Sequence, residues 1–258
     1  MRLLTLPFVI LYRIYFAVIF FTVLLVLYPV FWVLLLKREN FGRVFRLKVM
    51  TSRVILFFDF IRLKHVQSPP NLDQNQPYVI CANHASYLDI ILMYRILPKN
   101  RFLFIGKAEL LKWPIINIFF KKVDIAVNRE KRSSGMRSII RARQEIQNGW
   151  SIVIFPEGGI PLDAPRLNPF KNGAFKLAVD AEIPILPVTI IDNWKLFNTD
   201  PLLTGRARPG FARVIIHDPI PTTGLNKKDL IHLRQQTFET INAPLVAYNK
   251  ALQDENNG

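Results

Sequence analysis

Residues 79–94 read VICANHASYLDIILMY, and the change of character within this stretch decides the fold. Val79, Ile80 and Cys81 form a short apolar run of the kind that suits a buried strand. Ile90, Ile91, Leu92 and Tyr94 resume the apolar pattern as a helix, with the polar turn Asn83-His84-Ala85-Ser86 between the two. A strand that hands over to a helix in this way is half of a β-α unit. The rhythm repeats downstream: β-rich runs at residues 78–81, 102–105, 123–127, 151–155, 185–191 and 212–216 alternate with helical stretches near 86–97, 131–148, 172–181 and 227–252. The expected architecture is therefore α/β, a mixed and mostly parallel sheet flanked by helices. Gly149 supplies a stop signal after the second helical stretch.

Upstream the chain is different in kind. From Ile14 to Leu36 no residue is charged, and about 20 apolar residues are what a helix needs to cross a bilayer core. Lys37 and Arg38 follow, where a cleaved signal peptide would carry small residues. Pro29 interrupts the run, so the sequence leaves open whether the segment spans the bilayer or dips into one leaflet. Next, Phe41, Val44, Phe45, Val49, Ile55, Phe57, Phe58 and Ile61 interleave with Arg43, Arg46, Lys48, Arg53, Arg62 and Lys64. This is the pattern of a basic amphipathic helix lying in the headgroup plane of an anionic membrane, apolar face down and cationic side chains snorkelling up. Together the two segments make an N-terminal membrane-associated helical hairpin. Ser68-Pro69-Pro70-Asn71 then breaks the pattern. The organisation expected is a membrane-anchoring hairpin over residues 1–66 and an α/β domain over residues 67–258.

The whole chain has 258 residues with 34 Lys/Arg against 19 acids, a net charge of +15. Half of its residues are apolar, which excludes a disordered or fibrous chain. The positive charge calls for an anionic partner. Nucleic acid is the poorer choice, because ten of the Lys/Arg fall within residues 1–69 around the apolar run and no zinc-finger or RNA-binding motif accompanies them. Cys81 is the single cysteine, which rules out an internal disulfide. His65, His84, His217 and His232 lack paired-ligand spacing, so no metal site is expected.

Two turns carry candidate chemistry. On one continuous helix, residues five apart lie about 140° around and too far along to face each other. An interaction between His84 and Asp89 therefore requires His84 in the turn before the helix, folded back over its first residues, with Ser86 as N-cap. Ser86-x-x-Asp89 also fits a capping box, in which Asp89 merely satisfies a helix N-terminal N–H. The second turn, Phe155-Pro156-Glu157-Gly158-Gly159, again follows an apolar strand. It reads either as a simple strand-ending turn or as a carboxylate beside two glycines that allow close backbone approach.

At this point the chain resembles the 1-acyl-sn-glycerol-3-phosphate acyltransferases, or lysophosphatidic acid acyltransferases, of the glycerolipid acyltransferase fold. The resemblance runs from about Tyr78 to Ile191. His84 and Asp89 match the family's His-x4-Asp block, Val127-Asn128-Arg129 its acceptor-binding block, Phe155-Pro156-Glu157-Gly158 its third, and Ile183-Pro184-Ile185-Leu186-Pro187-Val188 its fourth. Two positions depart from the pattern. Val123 stands where the family usually has glycine, and Gly159-Ile160 replaces the Thr/Ser-Arg that commonly follows Glu-Gly.

The resemblance implies a membrane-bound enzyme that moves a fatty acyl group from a thioester to the sn-2 hydroxyl of lysophosphatidic acid, forming phosphatidic acid. His84 would be the general base, oriented by Asp89. Arg129 would bind the acceptor phosphate, and Glu157 and Gly158 would serve substrate binding, Glu157 by holding a glycerol hydroxyl or organising the cations. Lys107, Arg166 and Lys171 are candidates for the charge lost at Ile160, with Lys107 favoured. No cofactor is implied, since acyl-coenzyme A or acyl carrier protein is a substrate. The implied partners are the lysophospholipid, the acyl thioester, an anionic membrane and an acyl carrier protein, with no nucleic acid. The expected location is the inner, or plasma, membrane with the catalytic domain facing the cytoplasm, from the cations after Leu36. Another lysolipid acceptor, such as a lyso-ornithine lipid or a lysophospholipid with a head group, and a catalytically silent membrane-surface binding protein are the alternatives.

Overall fold

The computed structural model describes residues 2–128, 131–198 and 205–257. Its centre is a seven-stranded sheet in the order β1-β7-β6-β2-β5-β3-β4. The strands are β1 (Ile61–Gln67), β2 (Val79–Ala82), β3 (Phe102–Lys107), β4 (Ile125–Val127), β5 (Ser151–Ile154), β6 (Ile185–Ile190) and β7 (Gly210–Ile216). Every neighbouring pair is parallel except β6 and β7. The central strands are buried on both faces, as their unbroken apolar sequence requires: β2 and β6 are buried at every residue. The mixed, mostly parallel sheet expected from the sequence is thus present.

Helices cover it in two layers. Between the strands run α3 (Leu88–Ile96), α4 (Asn117–Lys122), α5 (Arg132–Gln147), α6 (Gly173–Ala181) and α7 (Asn193–Leu196), with α8 (Leu230–Asn257) after β7. Helices α5, α6 and α8 pack in that order over β4, β5, β2 and β6. On the other side α3 packs with α2 (Phe41–Phe58) and against β1.

The helix α2 differs from the expectation. Its apolar stripe, Val44, Phe45, Val49, Ile55 and Leu56, points into the protein core and not into lipid. Phe45 alone meets Tyr94, Phe102 and Trp150. One of its cations is buried as well: Lys48 Nζ lies 2.7 Å from Asp124 Oδ2, while Asp124 Oδ1 accepts the Phe104 N–H. A buried ammonium is tolerated because a carboxylate and the rings of Tyr94 and Phe119 surround it. Only Met50, Phe57, Phe58 and Phe60 remain as exposed large apolar groups at the end of this region, beside exposed Arg43, Arg46 and Arg53.

The basic pattern also stops being helical earlier than its spacing predicts. Phe60 takes the left-handed conformation, with φ 54°, and Ile61–Gln67 becomes the edge strand β1, paired with β7. Arg62 and Lys64 stay exposed there, the usual protection of a sheet edge. The expected division after residue 66 therefore falls at the end of β1, and the hairpin shares its core with the sheet.

The first helix, α1 (Arg2–Leu34), is continuous through Pro29. Residues Leu6–Leu34 are long and apolar enough to cross a membrane, and only 11% of the most apolar window is buried. Its inner side is fastened along the domain. Phe31 meets Phe119 edge-on, Phe16 meets Phe197, and the Tyr12 and Tyr15 hydroxyls donate to the carbonyls of Asp59 and Phe58.

Candidate active site

The polar turn after β2 is built by its own side chains. Asn83 is buried and pairs its amide with both main-chain groups of Ile190, donating to the C=O at 2.9 Å and accepting the N–H at 2.7 Å. It thereby continues the β2–β6 pairing with a side chain and frees the backbone to turn. Ser86 Oγ accepts the Leu88 N–H at 3.1 Å as α3 begins, a contact typical of an N-cap side chain.

His84 Nδ1 lies 2.8 Å from Asp89 Oδ2, so the histidine does fold back over the first turn of α3. The same oxygen accepts the N–H groups of Ala85 at 2.7 Å and Ser86 at 2.9 Å. The capping and the dyad readings of Asp89 are therefore not alternatives, because one carboxylate does both. Its other oxygen, Oδ1, accepts the Asn193 side-chain amide. Asp89 is fully buried, and the Ala85 N–H, the Ser86 N–H and the Asn193 amide all donate to it, which matches a carboxylate, an acceptor only, and calls for the Nδ1–H tautomer of His84. With Nδ1–H directed at Asp89, the lone pair of His84 is on Nε2. The imidazole plane is fixed by stacking on Phe155, centroids 4.1 Å apart and planes 15° apart.

Glu157 comes from the turn after β5, the strand beside β2. It is buried, with Oε1 accepting the His84 N–H at 2.8 Å and Oε2 the Asn168 N–H at 2.9 Å. Burial pushes its carboxyl up to about 7, partly opposed by those two N–H groups. Glu157 thus ties the His84 turn to the loop that follows, a scaffold task that the sequence does not reveal. Gly158 takes φ +80°, and a Cβ there would lie 2.7 Å from Lys171 Nζ. The lysine folds over this turn because its own N–H donates to the Pro156 C=O at 2.8 Å.

Of the other expected residues, Lys107 lies on the same carboxyl edge. Lys107 ends β3, in register with Val127 at the end of β4, and is exposed. Arg129 lies outside the described residues. Arg166 is a solvated loop cation whose nearest acid is Asp163 at 4.0 Å. Strand order alone collects the ends of β2, β5, β3 and β4 at one carboxyl edge, where open α/β sheets bind ligands. Among the described residues no group of three His, Cys, Asp or Glu side chains is placed to hold a metal ion. Asn83 and Asn193 were not singled out by sequence. Asn83, polar at the end of a buried strand and next to His84, offered a signal; Asn193, 104 residues from Asp89, offered none.

Comparison with known proteins gives a consistent picture. A family model described as Acyltransferase matches residues 63–191. An uncharacterised acyltransferase of Schizosaccharomyces pombe is 31% identical over 184 residues, 70% of this chain and 64% of that protein. The human 1-acyl-sn-glycerol-3-phosphate acyltransferase beta is 29% identical over 197 residues, 73% of this chain and 67% of that one. The chain thus matches about two thirds of the length of these relatives. The crystal structure of the 1-acyl-sn-glycerophosphate (LPA) acyltransferase PlsC from Thermotoga maritima has the same fold, with a TM-score of 0.74 over 96% of this chain and 98% of that one at 22% identity.

Proposed function

The chain belongs to the acyltransferase family, and on that premise we propose that it is a membrane-bound 1-acyl-sn-glycerol-3-phosphate O-acyltransferase. The observation that carries this reading is the His84–Asp89 pair at the carboxyl edge of the sheet, with Nε2 unoccupied by Asp89 and cationic side chains on the same rim. His84 Nε2 takes the proton of the acceptor's sn-2 hydroxyl as that oxygen attacks the thioester carbonyl. Asp89 holds the ring and stabilises the imidazolium that forms. Collapse of the tetrahedral intermediate breaks the C–S bond, and the imidazolium proton goes to the departing thiolate. The products are the ester and a free thiol, and the scheme uses no cofactor and no acyl-enzyme.

The acceptor phosphate is read as bound by Arg129 with Lys107 and Lys171, and the acyl donor as acyl-coenzyme A or acyl carrier protein. Helix α1 would lie in the lipid that supplies the lysolipid, in the inner membrane with the sheet on the cytoplasmic side. Gly159-Ile160 supports a second reading, in which the acceptor is another lysolipid, such as a lyso-ornithine lipid.

The test is acyl transfer by the protein in liposomes, with one labelled acyl thioester offered to lysophosphatidic acid and to a non-phosphate lysolipid side by side. Preference for lysophosphatidic acid is expected; preference for the other selects the second reading. His84→Ala should abolish transfer to both, and its retention would remove the dyad from the mechanism.

A further inference from the structure

Asp89 gives the oxygen turned away from His84 to Asn193, a fully buried residue that opens the short helix α7. The residue that follows this helix returns to the same turn: Ser86 Oγ donates to the C=O of Phe197. Segment 193–197 is therefore fastened to the dyad twice, once at the carboxylate and once at the turn whose Ser86 N–H also binds Asp89.

Its opposite side is held by the first helix. The Phe16 and Phe197 ring centroids are 4.5 Å apart, and the Arg13 guanidinium sits 4.9 Å from the Phe197 centroid. Arg13 is buried, and its N–H groups donate to the carbonyls of Asn198, Gly205 and Arg206, on the two segments paired through Asn198 N–H and the Arg206 C=O. A guanidinium within an otherwise apolar helix is costly unless its donors are met. Here they are met by main-chain oxygens of the segment that supports the dyad.

We infer that α1 is a working part of the active site: by gripping Phe197 and the backbone of Asn198, Gly205 and Arg206 it holds Asn193 on Asp89, which makes Asn193 a positioning residue for the His84–Asp89 pair. The inference rests on the catalytic reading of that pair. Without the Asn193 donor, Oδ1 loses the partner that holds the carboxylate from the side opposite His84, and the aim of Oδ2 at His84 Nδ1 rests on the Ala85 and Ser86 N–H groups alone. An aspartate at 193 would keep the shape and reverse the interaction, setting carboxylate against carboxylate.

The experiment compares kcat and both substrate KM values for Asn193→Ala, Asn193→Asp, Phe16→Ala and the Phe16→Ala/Asn193→Ala pair in the full-length protein, with thermal melts and liposome retention in parallel. Asn193→Ala should lower kcat about 10- to 100-fold with each KM within about twofold, the signature of a group that acts on the transition state. Asn193→Asp should be no better than Asn193→Ala above pH 7. Phe16→Ala should lower kcat in the same manner, and the double variant should be no slower than Asn193→Ala, because both act through one link. Where Phe16→Ala melts early, Phe16→Leu replaces it, with a smaller loss of the same kind. Parental kcat in Asn193→Asp, or multiplying effects in the double variant, would overturn the inference. His84→Ala separates the two ideas: transfer retained there removes the dyad itself, whereas transfer abolished there with a normal Asn193→Asp removes only the role of α1 and Asn193.

Discussion

The main-chain N–H of His84 donates to Glu157 Oε1 at 2.8 Å, so the turn that carries the proposed base is tied to the turn after the neighbouring strand. The other oxygen of Glu157 accepts the Asn168 N–H, and a glutamine there could keep only one of the two bonds, because its NH2 would face the second N–H donor. Glu157→Gln is therefore expected to lower kcat by about tenfold or more, the equivalent of one charge-assisted hydrogen bond. Because burial holds Glu157 at about 7, its protonation falls on the acid side of the activity profile. The parental acid limb should be steeper than that of Glu157→Gln, which has no carboxyl to protonate at this position. Equal slopes in a kcat–pH series would show that Glu157 does not titrate there.

Lys171 and Arg166 belong to the same loop and make opposite predictions. Lys171 folds its ammonium over Gly158, beside Glu157, whereas Arg166 extends into solvent. Lys171→Ala should raise the KM for lysophosphatidic acid about tenfold and leave the thioester KM unchanged, as expected for loss of uniform binding to one substrate. Arg166→Ala should change neither. A lysophosphatidic acid KM that responds to Arg166 and not to Lys171 would place the phosphate elsewhere on the rim.

Much of this arrangement is legible in the amino-acid sequence, for physical reasons that also explain what is not. Runs such as Val79–Ala82 and Ile185–Ile190 are apolar at nearly every position because both faces of those strands are covered, and no amphipathic alternative fits them. The His84–Asp89 contact is legible because a separation of five forces one partner out of the helix. The strand β1 is hidden: Arg62 and Lys64 alternate with Ile61 and Leu63 on a charged edge, and the pattern merges with the basic helix before it. Helix α2 shows its stripe but not what covers it, since lipid and a sheet face select the same residues. The two ties on Asp89 Oδ1 and on Glu157 come from residues distant in sequence, and periodicity carries no information about them.

Asp59, at the C-terminal end of α2, is fully buried, and neither carboxylate oxygen has a hydrogen-bond partner among the described residues. Burial raises its carboxyl from the ordinary aspartate range to about 7. The folded state thus binds the proton more tightly than the unfolded chain, whose aspartates titrate near about 3.9. The stability this group contributes is complete below that value and is lost as pH rises through about 7. Asp59→Asn, which cannot ionise, should melt about 3 °C or more above the parent at pH 8, with the difference shrinking toward pH 5. Melting curves in detergent at a series of pH values check this; a difference independent of pH would mean that Asp59 keeps one protonation state throughout.

The two sides of α1 are expected to fail differently. Leu25 is 62% exposed on the side that the proposed function gives to lipid, while Phe31 is 1% exposed and packs on Phe119 in the core. Leu25→Arg places a charge where a bilayer would be, at a cost of about 3 kcal/mol near the middle of a span, yet removes no contact within the protein. It should weaken retention in liposomes and leave the melting temperature in detergent unchanged. Phe31→Ala empties a packed site at about 3–5 kcal/mol and should lower the melting temperature without altering which face meets lipid. Simple deletion of the helix cannot separate these effects, because Phe16 and Phe31 are part of the protein's core and their loss would expose it. Equal retention of Leu25→Arg and the parent would place the outer face of α1 outside the lipid, whatever its composition.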